Sequence, residues 1–89
     1  MKVKARHILV PTLNEAVEVF NKITEGEDFG MVARKLSKCP SGQNGGDLGE
    51  FGQGQMVKPF EDATQATPVG SISRPVQTQF GYHLIHRTG

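Results

Sequence analysis

The sequence predicts an α+β fold, and three features carry that expectation. Its start alternates apolar and polar residues with the period of a strand, two apolar stripes at helical spacing follow, and its end reads as two strands joined at a glycine turn. Between these parts lies a glycine-rich stretch that breaks regular structure.

Taken in order, Val3, Ala5, His7 and Leu9 alternate with Lys2, Lys4, Arg6 and Ile8. The first strand is therefore expected to be half-buried, with His7 on the apolar face. Pro11 ends it. Thr12 stands three residues before Glu15, the spacing of a helix capping box, and Leu13, Ala16, Val17, Phe20 and Ile23 follow at helical spacing up to Gly26. Asp28 is placed to cap a shorter second helix whose inner face is Phe29, Val32, Ala33 and Leu36. From Ser37 to Gln55 the chain holds six of its 11 glycines and reads mainly as loop, with Asp47-Leu48-Gly49-Glu50-Phe51 as a short strand. Pro59 suits the first turn of a third helix with Phe60 and Ala63 inward, and Pro68-Val69-Gly70 terminates it. Strands over Ile72 to Thr78 and Tyr82 to Arg87, joined at Gln79-Phe80-Gly81, complete the chain.

The 89 residues are expected to form a single domain over positions 1–89, with one modest core and one shallow cleft. Hydrophobic residues at 36% and charged residues at 21% argue against disorder. Ten basic against nine acidic residues give +1, without the basic excess of a nucleic-acid binder, so no nucleic-acid partner is expected. Lys2, Lys4 and Arg6 on one strand face, and Arg34, Lys35 and Lys38 after the second helix, read as solvated charge. Cys39 is the only cysteine, which excludes an internal disulfide. No stretch approaches membrane-spanning length and no apolar run follows the basic start, so membrane insertion is not expected and a cytoplasmic monomer is.

Several chemistries can be weighed on spacing alone. Gly49-Glu50-Phe51-Gly52 does not open a helix after a buried strand, and no Gly-Lys-Ser/Thr follows, which argues against a phosphate cradle. The soft metal ligands are His7, His83, His86 and Cys39. His83 and His86 fall on opposite faces of one strand, so no metal and no cofactor is expected. A Cys39–His nucleophilic pair lacks a recognisable orienting Asn or Asp, and a small buried thiol is the simpler account. His7 and His83 both lie on apolar strand faces and need partners for their ring nitrogens. Each serves the other if the first and last strands are neighbours; otherwise backbone groups satisfy them separately.

Four segments go further. They are Arg6-His7-Ile8-Leu9-Val10; Ser37-Lys38-Cys39-Pro40-Ser41 with Gly45-Gly46-Asp47-Leu48-Gly49-Glu50-Phe51; Gly54-Gln55-Met56-Val57-Lys58-Pro59-Phe60-Glu61; and Thr78-Gln79-Phe80-Gly81-Tyr82-His83-Leu84-Ile85. In order and in register, they resemble the motifs of the parvulin peptidyl-prolyl cis/trans isomerases over nearly the whole chain. The resemblance implies a four-stranded antiparallel sheet flanked by helices, the parvulin/FKBP-like arrangement, with both histidines on its central strands. It implies that Leu48, Met56 and Phe60 form an apolar pocket for the substrate proline ring, with Gln55 and Phe80 also contacting substrate. His7, Cys39, Thr78 and His83 are then the polar, catalytic side, beside the peptide bond being rotated.

The implied activity is non-covalent rotation about X-Pro bonds without cofactor, on proline-containing peptides and on unfolded or partly folded proteins. Phosphate-selecting members insert a long basic loop after the first strand. Here Val10-Pro11-Thr12-Leu13-Asn14 carries no Lys or Arg, so unmodified prolines are expected. The alternative is a module that binds proline segments as a chaperone or adaptor with little turnover.

Overall fold

The computed structural model describes residues 2–89. Strand β1 (Val3–Val10) leads into helices α1 (Leu13–Thr24) and α2 (Phe29–Leu36). A short 3-10 turn (Pro40–Asn44), strand β2 (Asp47–Phe51), helix α3 (Lys58–Ala66) and strands β3 (Val76–Thr78) and β4 (Gly81–Arg87) follow. The strands form one antiparallel sheet in the order β2-β1-β4-β3, so the first and last strands are central neighbours.

Helices α1 and α2 cover one face of the sheet and α3 covers the other, which splits the core in two. On the first face Ile8, Val10 and Leu84 pack with Ala16, Val19, Phe29, Val32 and Ala33. On the second, Val3, Ala5 and Ile85 pack with Phe51 and Phe60. Strand β1 is thus half-buried only at its start. Ile8 was expected on the polar face with Lys2, Lys4 and Arg6, yet it and Val10 are buried, because two helices lie on that side where the strand passes under them.

The helix starts follow their capping residues. Thr12 Oγ1 accepts the Glu15 N–H at 3.2 Å and Asp28 Oδ2 accepts the Met31 N–H at 3.0 Å. In α1, however, the buried stripe is Ala16 and Val19 backed by Phe20 and Ile23, while Leu13 and Val17 stay exposed. The helix is rolled about its axis relative to the expected face, since contact with the sheet runs through the 16, 19, 20, 23 row. Leu36, expected inward on α2, is likewise exposed at the helix end.

The strand expected over Ile72 to Thr78 is reduced to Val76–Thr78 plus an isolated pairing of Ile72 with His86. Pro75 supplies no N–H to a ladder. Ser73 bridges the gap instead: its N–H donates to the Ile85 carbonyl at 2.7 Å and its hydroxyl accepts the Ile85 N–H at 3.0 Å.

Candidate active site

The second face of the sheet carries a cavity of about 480 Å³ where the expected site residues converge. Its floor is apolar. Leu48 comes from β2, Met56 and Val57 from the approach to α3, and Phe60 from the first turn of α3, where Pro59 starts the helix. Leu9 and Pro40 continue this wall, and Phe80, exposed at the β3–β4 turn, forms its lip. His7, Cys39 and His83 line the polar side.

The two histidines are diagonal neighbours on β1 and β4, with His7 opposite Ile85 and His83 opposite Leu9. Their rings stack with centroids 5.1 Å apart, and their Nδ1 atoms lie 2.9 Å from each other. Phe60 presents its ring edge-on to both, at 5.4 Å from His7 and 5.1 Å from His83. The outer nitrogens are partnered too: His7 Nε2 lies 3.0 Å from Ser41 Oγ and His83 Nε2 lies 2.7 Å from Thr78 Oγ1. Ser41 Oγ in turn lies 3.3 Å from Cys39 Sγ. The result is one chain of hydrogen bonds running Thr78–His83–His7–Ser41–Cys39.

A count of protons gives this chain a direction. Thr78 Oγ1 already accepts the Phe80 N–H at 3.2 Å, so its own proton is free to go to His83 Nε2. His83 Nδ1–H then donates to His7 Nδ1, His7 Nε2–H donates to Ser41 Oγ, and the Ser41 hydroxyl donates to Cys39 Sγ. The Ser41 hydroxyl proton goes to Cys39 Sγ, so the proton between Ser41 and His7 comes from His7 Nε2, and the rest of the order follows from that.

Burial holds both imidazoles neutral. It lowers the His83 pKa to about 4, and it lowers that of His7 to about 4 with a further contribution from His83 alongside. The polar side of the cavity therefore offers dipoles rather than charge at neutral pH.

The segment bearing Cys39 is clipped to β1 at Leu9, and the loop that follows it is clipped at His7. The Lys38 N–H donates to the Leu9 carbonyl at 2.8 Å, and Ser37 Oγ accepts from the N–H groups of Leu9 and Cys39. The His7 N–H donates to the Gly46 carbonyl at 2.9 Å. Gly46 sits at φ 84°, and a Cβ there would lie 2.3 Å from the His7 carbonyl oxygen, so only glycine allows this approach.

Most expected site residues thus meet in one cavity, with two differences. Thr78 does not line it; it stands behind His83 and acts through that ring. Gln55 lines the cavity, but its Oε1 is turned back to accept the Gly52 N–H, so that oxygen is occupied within its own turn. Leu9, Lys38, Pro40, Ser41 and Val57 were not expected. Strand alternation places Leu9 on the face of His7 and could have found it; Ser41 had only its spacing of two residues from Cys39 as a signal. His86 belongs to neither group. It faces the other side of the sheet, 5.5 Å from Phe29, and its Nδ1 is buried without a partner among the described residues.

Residues 7–89 match the family model described as Rotamase: PPIC-type PPIASE domain. The chain is 50% identical over 88 residues to the foldase protein PrsA of Geobacillus sp. (strain WCH70), covering 98% of this chain and 32% of that protein. It is 49% identical over 86 residues to the peptidyl-prolyl cis-trans isomerase Pin1 of Arabidopsis thaliana, covering 91% of this chain and 72% of that protein. Among solved structures, the parvuline NmPin of Nitrosopumilus maritimus superposes with a TM-score of 0.88 at 46% identity, covering 99% of this chain and 96% of that one. PrsA from Bacillus anthracis superposes at 0.98 with 44% identity, covering 99% of this chain and 41% of that one. The chain spans about a third of the length of the PrsA relatives it matches.

Proposed function

Since the chain belongs to the PPIC-type peptidyl-prolyl isomerases, the parvulins, we propose that it rotates unphosphorylated X-Pro bonds in the cavity beside His7 and His83 and so assists the folding of proline-containing chains. The observation that carries the reading is the pairing of an apolar floor (Leu48, Met56, Phe60) with an uncharged imidazole pair at hydrogen-bond distance.

Amide resonance sets the barrier to this rotation at roughly 18–20 kcal/mol and makes uncatalysed exchange take tens of seconds or more. At the twisted transition state the resonance is lost and the bond becomes less dipolar. Water favours the planar, charge-separated ground state; an apolar pocket favours the twisted one. The proline ring offers no N–H to read, so burying its methylenes at about 0.8 kcal/mol each is what holds it. Leu48, Met56 and Phe60 are assigned that role. No bond forms or breaks, so Cys39 is assigned no nucleophilic step. It terminates the hydrogen-bond chain and borders the rotating carbonyl, while Thr78 and Ser41 fix the tilt of the two rings.

The test is a protease-coupled assay in which only the trans form of a short Xaa-Pro peptide is cleaved. The slow phase is expected to accelerate in proportion to protein concentration. Binding of the peptide without acceleration would instead identify a module that holds proline segments without turning them over.

A further inference from the structure

Of the residues that line the cavity, Lys38 alone carries a charge at neutral pH, since burial keeps His7 and His83 neutral. Its place is fixed by the hydrogen bond from its own N–H to the Leu9 carbonyl, and it directly precedes Cys39. The side chain is exposed, and among the described residues no carboxylate lies within ion-pair distance of it; the lysines that are paired are Lys2, Lys22 and Lys58. Lys38 also borders a second, smaller cavity together with Glu15 and Glu18, neither of them within ion-pair distance, and as the one charged residue lining the first cavity it imposes a field on whatever enters.

Chain geometry decides which substrate residue feels that field. Cys39 and Lys38 border the same cavity as Met56 and Phe60, so with the proline ring assigned to the Met56–Phe60 floor and the rotating bond to the Cys39 side, the residue before proline is assigned to the Lys38 side. The geometry points to Lys38 as a specificity-determining residue that favours a carboxylate side chain, Glu or Asp, immediately before the proline and disfavours Lys or Arg there. This rests on the isomerase reading for where the proline sits. The pair it forms is solvent-facing, so its effect is modest: at about 1 kcal/mol or less for such pairs it is worth roughly threefold to fivefold, and it weakens as salt rises.

The test uses four short peptides that differ only before proline, carrying Glu, Lys, Ala or phosphoserine. Dissociation constants come from chemical-shift titration and kcat/KM from exchange spectroscopy in the same samples. The native protein is expected to favour Glu-Pro over Lys-Pro by at least about threefold in both quantities. Lys38→Met is expected to bring the ratio to near one and Lys38→Glu to invert it. Because ratios within each variant are compared, a general loss of activity does not disguise the result. Equal values for Glu-Pro and Lys-Pro in the native protein, or a ratio that survives Lys38→Glu, would overturn the inference. A phosphoserine peptide favoured more than about tenfold over Glu-Pro would assign the ammonium to phosphate and overturn it too. A Kd ratio that behaves as expected without turnover of any peptide would sustain the inference while removing the isomerase reading.

Discussion

His7 and His83 share a single proton between Nδ1 atoms 2.9 Å apart, at diagonal positions of β1 and β4 with ring planes 18° apart. Two imidazoles in that relationship cannot both be charged without placing like charges in contact inside a buried pair, and only one of the two facing nitrogens carries hydrogen. Burial is the main cause of the neutrality of both rings, and the contact adds to it at His7.

A pH dependence of stability follows first. Unfolded histidines take up a proton near pH 6.5, whereas folded His7 and His83 do so only at about 4. Between these values the unfolded state binds more protons, so stability is full above about 6.5 and is lost as pH falls toward 4. Urea midpoints measured from pH 7.5 down to 5, above most carboxylate titration, are expected to hold until about pH 6.5 and then fall, by an amount worth on the order of a few kcal/mol. A flat profile over that range would contradict the neutral pair.

Replacement of the thiol separates a contact from a nucleophile. Cys39→Ala removes the last acceptor of the hydrogen-bond chain and one polar neighbour of the rotating bond. A loss of roughly fivefold to tenfold in kcat/KM is expected, of the size of one hydrogen bond. Abolished activity together with a substrate adduct trapped on Cys39 of the native protein would show covalent chemistry instead.

Phe60 and Met56 answer different questions. Phe60 is almost fully buried and touches His7, His83 and Phe51. Phe60→Ala is therefore expected to cost about 3–5 kcal/mol of stability before any effect on catalysis can be read. Met56 is only partly buried, so Met56→Ala is expected to reduce kcat/KM on an Ala-Pro peptide while moving the urea midpoint little. Unchanged kcat/KM in a folded Met56→Ala protein would place the proline pocket elsewhere.

Gly46→Ala tests the clip between the central loop and β1. A side chain at φ 84° carries strain of about 1–3 kcal/mol, and its Cβ would meet the His7 carbonyl oxygen at 2.3 Å. A total cost above about 3 kcal/mol is expected, with His7 ring resonances shifted in whatever fraction folds. Native-like stability and unshifted His7 resonances would mean that the loop is not held at this point.

The local signals legible in the sequence were those whose cause is itself local. Thr12 and Asp28 cap helices through their own side chains, Pro59 marks a helix start, and Asp47–Phe51 lies between glycines. The meeting of His7 with His83 was also open to inference, since each needed a partner and their strands could be adjacent. What stayed hidden depends on objects distant in sequence. Burial of Ile8 and Val10 comes from two helices laid across that face, and the roll of α1 is set by its fit to Leu84 and its neighbours. The part of Ser41 depends on a 3-10 turn that carries it back to β1 over 34 positions. The truncation of β3 reflects Pro75 and the side-chain bridge of Ser73, which substitute for a ladder that period alone suggests should continue.

Exchange spectroscopy on an unphosphorylated Ala-Pro peptide, with a catalytic amount of the protein, tests the central claim most directly. Uncatalysed cis and trans forms interconvert too slowly to exchange within a one-second mixing time, so cross-peaks report catalysis alone. The account predicts cross-peaks that grow with protein concentration, shifts in Met56 and Phe60 resonances at saturating peptide, and strong reduction of the cross-peaks in Met56→Ala. Shifts at Met56 and Phe60 without exchange cross-peaks would contradict it, leaving a cleft that binds proline without turning the bond.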